Sequence, residues 1–117
     1  MPNEFPRARR VAESIKRALA QPLADYAREH GFGLLTVTAV DLSPDLRNAK
    51  VFITAMGGRE QNPDSICKAL RAASADLRHA VAGEVVLRNV PRLNFVYDES
   101  LERGRRIEQL LSGKGEP

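Results

Sequence analysis

The side chains of this chain that could do bond-making chemistry are few. Two histidines, His30 and His79, have no carboxylate or cysteine at metal-ligand spacing, so each reads as a surface or capping residue. Cys67 is the single cysteine; it cannot form a disulfide within a monomer or a cysteine-based zinc site, and it reads as a half-buried small hydrophobe. Nucleophilic catalysis would need Cys67 or a serine beside a base, and no such arrangement is indicated. Gly31-x-Gly33 follows a helical segment instead of a strand, and Thr36 stands where a dinucleotide fingerprint requires glycine. No Gly-Lys-Ser/Thr phosphate loop occurs. Asp98 and Glu99 are neighbours that point to different sides, more suited to a cap and to solvent than to paired acid–base work. The expectation is no catalytic residue, no metal, no cofactor and no small-molecule substrate. The pattern favours a binding module over an enzyme.

What remains is arginine. The 117 residues hold 18 basic and 15 acidic side chains, a formal charge of +3, and 14 of the 18 are arginines. The excess is local. Residues 1–17 carry Arg7, Arg9, Arg10, Lys16 and Arg17 against Glu4 and Glu13; residues 71–92 carry Arg71, Arg78, Arg88 and Arg92 against Asp76 and Glu84. Residues 18–70 and 93–117 are each slightly acidic. A guanidinium presents a planar fork that matches phosphate oxygens and stacks on bases, which an ammonium does not. Such blocks suit a nucleic-acid or ribosome-like partner, or else a solvated face that keeps the protein soluble.

These arginines must be held by elements, and the periodicities place them. Val11, Ile15, Ala18, Leu19, Pro22 and Tyr26 recur at three- and four-residue steps, which predicts an amphipathic helix from Pro6 to Gly31-Phe32-Gly33, kinked at Pro22. Residues 34–42 and 49–56 read as strands; Val51, Ile53 and Ala55 share one face, with Lys50, Phe52 and Thr54 on the other. The short Ser43–Asn48 link predicts an antiparallel hairpin. Asn62-Pro63 reads as a cap and first helical position. From there Ile66, Ala69, Leu70, Ala73, Leu77, Ala80 and Val81 hold a helical stripe down to Gly83. As one helix the stripe would run about 30 Å and overhang a small sheet, so a break is expected at Ala73-Ser74-Ala75. A third strand should fill 85–97, interrupted by Pro91 and firmest at Leu93–Tyr97. Asp98 or Ser100 would cap a last helix facing inward with Leu101, Gly104, Ile107, Leu110 and Leu111. The class is α+β, a three-stranded sheet covered by helices on one face.

Hydrophobic content of 43% and charged content of 28% fit one folded domain, placed at residues 1–112, with residues 113–117 a fraying tail. No apolar run approaches the ~18 residues of a membrane span, and no secretory signal is read at the N-terminus. A cytoplasmic protein without membrane attachment, monomeric when free, is the expectation.

Three motifs in order carry a resemblance. They are Arg10-Val11-Ala12 in the basic first helix, Val40-Asp41-Leu42-Ser43-x-Asp45-Leu46-x-x-Ala49-Lys50-Val51-Phe52, and Val90-Pro91-x-Leu93-x-Phe95-x-Tyr97-Asp98-x-Ser100 followed by Gly104 and Arg106. Over roughly residues 4–111 the chain resembles the ribosome-binding factor A family. The resemblance implies a type II KH-like domain, α-β-β-α-(kink)-α-β with a C-terminal helix. It also implies a non-enzymatic, cytoplasmic role in late maturation of the small ribosomal subunit, through its rRNA near the 5′ end, with the greatest need in the cold. There are departures. KH domains usually clamp nucleotides with a Gly-x-x-Gly loop, which this chain lacks. The family's Ala-x-Gly kink is here Ala73-Ser74-Ala75, so the break must come from packing or from Ser74 competing for backbone hydrogen bonds. Gly31-Phe32-Gly33 stands where relatives tend to carry an Asp-Pro-Arg type of turn.

The first reading is therefore a small-subunit assembly factor. Arg7, Arg9, Arg10, Lys16 and Arg17 would contact phosphate from the first helix, and Arg71, Ala73, Ser74, Arg78, Arg88 and Arg92 would line an RNA surface around the break and the third strand. The alternatives are a protein–protein adaptor with a basic face and a generic KH-like module for single-stranded nucleic acid.

Overall fold

In a computed structural model of the chain, which describes residues 6–85 and 89–100, the first stripe becomes the buried side of one helix, α1 (Pro6–His30). Val11, Ile15, Ala18, Leu19, Leu23 and Ala27 are buried; Pro22 and Tyr26, expected as members of the stripe, are half-buried at its flank. Pro22 withholds one donor but does not end the helix. Leu19 and Leu23 on either side are both anchored in the same core. Gly31 closes α1 with φ +73, a left-handed turn that favours glycine, and Phe32 N–H donates to Ala27 O at 3.0 Å. That bond bridges six residues and satisfies one of the helix's terminal carbonyls.

β1 (Gly33–Leu42) and β2 (Asn48–Gly57) pair antiparallel, as the short link predicted. Asp45 organises the link: its carboxylate accepts from Ser43 Oγ at 2.6 Å and from Arg47 N–H at 3.0 Å. The alternation along β2 is as read, with Ala49, Val51 and Ile53 buried. In β1 the register slips between Val37 and Ala39, leaving Thr38 as an extra residue. This bulge has a purpose visible in the numbering. Leu35 and Val37 are odd, Val40 and Leu42 even, so a regular strand would turn one pair away from the core; one extra residue brings all four to it.

The helical stripe after Pro63 divides into α2 (Pro63–Ala72) and α3 (Ser74–Val81). Asn62 caps α2, its side-chain oxygen accepting from Asp64 N–H at 2.8 Å and Ser65 N–H at 3.3 Å. The break falls on Ala73 (φ −94°, ψ 6°), whose N–H is shared between Ala69 O and Leu70 O, each at 3.1 Å. Ser74 makes no side-chain hydrogen bond among the described residues. Packing makes the break: α2 lies against the third strand, while α3 packs against both α1 and that strand.

Of the expected third strand, residues 86–88 lie outside the described residues, and the described part that pairs is its second half. β3 (Arg92–Tyr97) begins only after Pro91 and runs parallel to β2, giving the order β1-β2-β3. Its start coincides with the start of β2, where Asn48 meets Arg92, and Arg78 holds the segment just before it. From α3 its Nε donates to Pro91 O at 3.1 Å and its Nη2 to Val90 O at 2.8 Å, so these carbonyls serve the guanidinium instead of a ladder. Val85 is buried outside any strand. Leu93 and Phe95 complete one core shared by the six elements of the described residues, on the helical side of the sheet. The observed α-β-β-α-α-β order is that of the expected α+β class. The expected last helix at 101–111, the tail at 113–117 and Arg88 lie outside the described residues.

At the end of β3, Asp98 ties the edges of the sheet together. Its carboxylate accepts from the bulge hydroxyl of Thr38 at 2.5 Å and from Ser100 Oγ and N–H at 2.6 and 2.9 Å. The Ser100 hydroxyl first, then Thr38 and the Ser100 N–H, hold the carboxyl below the ordinary carboxylate range. A depressed carboxylate stabilises the fold above its unfolded value and loses that contribution as pH falls through its folded one. The stability advantage of wild type over Asp98→Asn is therefore expected to be constant from pH 7 to about 5 and to shrink below about pH 4. Urea titrations at a series of pH values check this; an advantage undiminished at pH 3 would contradict it.

Candidate nucleic-acid interface

The structure redistributes the predicted arginines. On α1, Arg9 and Lys16 are seven residues apart and so lie along one line of the helix, as do Arg10 and Arg17. Arg7, Arg9, Arg10 and Arg17 are exposed and Lys16 is half-buried. Lys16 and Arg17 overlook a groove of about 340 Å³ between α1 and the free edge of β1, floored by Leu23, Leu35 and Val37. Arg9 overlooks the next groove along, of about 340 Å³, floored by Val40 and Leu42. Glu13 belongs to both, so the two are continuous. Arg7 and Arg10 line a separate hollow with Val11 and Ser14.

The groove does not stop at β1. Asp41 and Leu42 pass it on to a third hollow of about 490 Å³, whose rim carries Asn48, Lys50 and Asn94. Pairing sets these side by side: Asn48 faces Arg92, and Lys50 faces Asn94. All four are exposed on the sheet face away from the core, because their neighbours Ala49, Leu93 and Val51 point inward. Lys50 Nζ also lies 6.0 Å over the Phe52 ring. A band thus runs from Lys16 and Arg17 through Arg9 and Lys50 to Arg92. The sequence reading missed Lys50, Asn48 and Asn94, which fall in a block of net negative charge; only their alternation opposite the core residues hinted at exposure.

The second predicted cluster is not one surface. Arg71 is exposed on the last turn of α2, whereas Arg92 lies on the opposite face of the sheet. Ala73 is half-buried and packs on the core, and Ser74 is half-buried beside it. Arg78 spends two donors on the Val90 and Pro91 carbonyls, which makes it a strut between α3 and the start of β3.

The cations of the band are available. Among the described residues the one salt bridge is Arg28–Asp25, at 2.6 Å, well away from it. Arg9, Lys16, Arg17 and Arg92 form no side-chain hydrogen bond or ion pair among those residues, so a phosphate would displace water without breaking an internal contact. Cys67 is only 3% exposed, and burial pushes its thiol up, away from the reactive thiolate. Among the described residues no three metal-ligating side chains come together, and no helix is long and apolar enough to cross a membrane.

Fold and surface together define a small basic α+β module with an open groove along which Arg9, Lys16, Arg17 and Lys50 outnumber Glu13 and Asp41. The pattern of the family described as ribosome-binding factor A matches residues 7–111. The ribosome-binding factor A of Nitrosococcus oceani is 42% identical over 111 residues, covering 95% of this chain and 87% of that protein. The crystal structure of ribosome-binding factor A from Thermus thermophilus superposes with a TM-score of 0.65 at 31% identity, over 77% of this chain and 94% of that one. A Thermus thermophilus homology structure of the factor, fitted into the cryo-EM map of its complex with the 30S subunit, gives a TM-score of 0.60 at 34% identity, over 74% and 89%. The chain belongs to the ribosome-binding factor A family.

Proposed function

We propose that this protein is an assembly factor of the small ribosomal subunit that binds the subunit's rRNA through the α1–β1 groove and its continuation onto Lys50 and Arg92. The observation that carries the reading is the run of cations along one continuous groove that hold no hydrogen-bond or ion-pair partner among the described residues. Family membership supports it, as does the 30S complex into which a relative was fitted. The finer reading belongs to the same proposal. The protein acts near the 5′ end of the rRNA during late pre-rRNA processing, is needed most in the cold, and works in the cytoplasm as a monomer without catalysis. Arg7, Arg10, Arg71 and Ser74 lie off the groove and would make accessory phosphate contacts.

Sedimentation of cell extract through sucrose gradients tests it. The protein is expected to travel with small subunits at low salt and to dissociate progressively as salt is raised, since each phosphate contact releases counterions. A free-protein peak at every salt concentration would support the adaptor reading instead.

A further inference from the structure

The last turn of α1 carries a cluster of rings whose outermost member, His30, serves neither the groove nor the core. Tyr26 and His30, four residues apart, lie ring over ring, with centroids 3.9 Å apart and planes 15° from parallel. Tyr26 is anchored from below, half-buried, with its hydroxyl donating to Ala69 O at 3.3 Å. His30 Nδ1 lies 2.9 Å from Tyr26 O, which fixes the imidazole, and the residue is exposed. Phe32 sits 5.9 Å from Tyr26 and 5.8 Å from His30. Being equidistant, it flanks the stacked pair, and His30 itself is exposed. Arg59 stands alongside: a Cβ on Gly31 would lie only 2.7 Å from Arg59 Nη2, so the guanidinium is laid against the residue that follows His30. Gly31 O holds that segment in place by accepting from Arg59 N–H at 2.8 Å and Glu60 N–H at 3.1 Å. Among the described residues the Arg59 guanidinium has no hydrogen-bond or ion-pair partner.

We propose that His30 and Arg59 form a stacking site for one unpaired RNA base, an inference that rests on the RNA-binding reading above. A flat ring backed by a second ring offers a π-face that any base can cover. The terminal carbonyls of α1 carry partial negative charge, which disfavours phosphate at this end of the helix and favours the base itself. Arg59 then stacks on the base edge or donates to its acceptors. His30 follows Lys16 by 14 residues, about 21 Å along the helix axis. A single strand held by its phosphates in the groove would reach the platform within a few nucleotides, the combination of backbone-tracking cations and stacked bases found in single-strand binders.

The test uses the full-length protein with a 12-nucleotide single-stranded RNA carrying 2-aminopurine at alternate positions, and with purified small subunits. Wild type is expected to bind both and to quench the 2-aminopurine. His30→Ala should lose the quench and bind the oligonucleotide about tenfold more weakly, in the range of one stacked base. His30→Phe should retain both. The dependence of affinity on salt should be the same in all three, because no phosphate contact changes. Arg59→Gln, which leaves the backbone bonds to Gly31 O intact, is expected to weaken oligonucleotide binding several-fold and decides the matter if His30→Ala is unstable. Unchanged quench and affinity in these variants overturn the stacking site and leave the RNA reading standing, as does wild-type binding to subunits without any quench. Wild type that binds neither probe overturns the reading and the site with it.

Discussion

Replacing Arg9, Lys16 and Lys50 together by alanine is expected to weaken binding to small subunits about a hundredfold at 0.1 M salt and to flatten the plot of log K against log salt by roughly two units. The magnitude follows from counterion release. Each phosphate neutralised contributes about 0.7 to the slope on single-stranded RNA and about 0.9 on a duplex. At 0.1 M salt the logarithm is −1, so three contacts are worth two decades or somewhat more. The three side chains come from α1 and β2, and only the shared groove unites them. None holds an ion pair among the described residues, so the fold should survive, with a small loss where Lys50 leaves the Phe52 ring. Arg7→Ala with Arg10→Ala, which line a separate hollow of the same helix, is expected to change the slope less. An unchanged slope in the triple variant, with native circular dichroism, would return these residues to a solvated face.

Arg78→Ala is expected to destabilise the fold by about 2–3 kcal/mol while leaving subunit binding intact at temperatures where the variant is folded. Two carbonyls, Val90 O and Pro91 O, lose a charged donor at a half-buried position, and Pro91 supplies no N–H with which to rebuild a ladder. Arg78→Lys should recover only part of the loss, because one ammonium on a flexible stem does not reproduce the fork that spans both oxygens. Urea denaturation measures the first effect and subunit sedimentation the second. A variant of wild-type stability that no longer binds would make Arg78 a phosphate contact after all.

Several features could be read without the structure because their causes are local. The Asn62-Pro63 start of α2, the Gly31 stop of α1, the alternation of Val51 and Ile53, and the Ser43–Asn48 turn each depend on neighbours within a few residues. The break between α2 and α3 was legible for another reason, a helical stripe too long for the sheet beneath it. Ser74 plays no part among the described residues, and the division follows from what each helix packs against.

Charge was read less well, and for a physical reason. A count by blocks along the chain grouped Arg71, Arg78 and Arg92, which the fold sends to an exposed helix turn, a strut and the opposite face of the sheet. It passed over Lys50, whose block is acidic on balance, although β2 carries it beside Asn94 and into the band begun by α1. The Thr38 bulge was equally hidden, since no single strand reveals that its two halves differ in parity until both must meet one core. The order of the elements, their caps and the α+β class were determined by the sequence itself, through propensities and periodicities that act over a turn or a strand. The partners of each arginine, the register of β1 and the course of the groove were decided only by tertiary structure, because they depend on which residues far apart in the chain the packing of the core brings face to face.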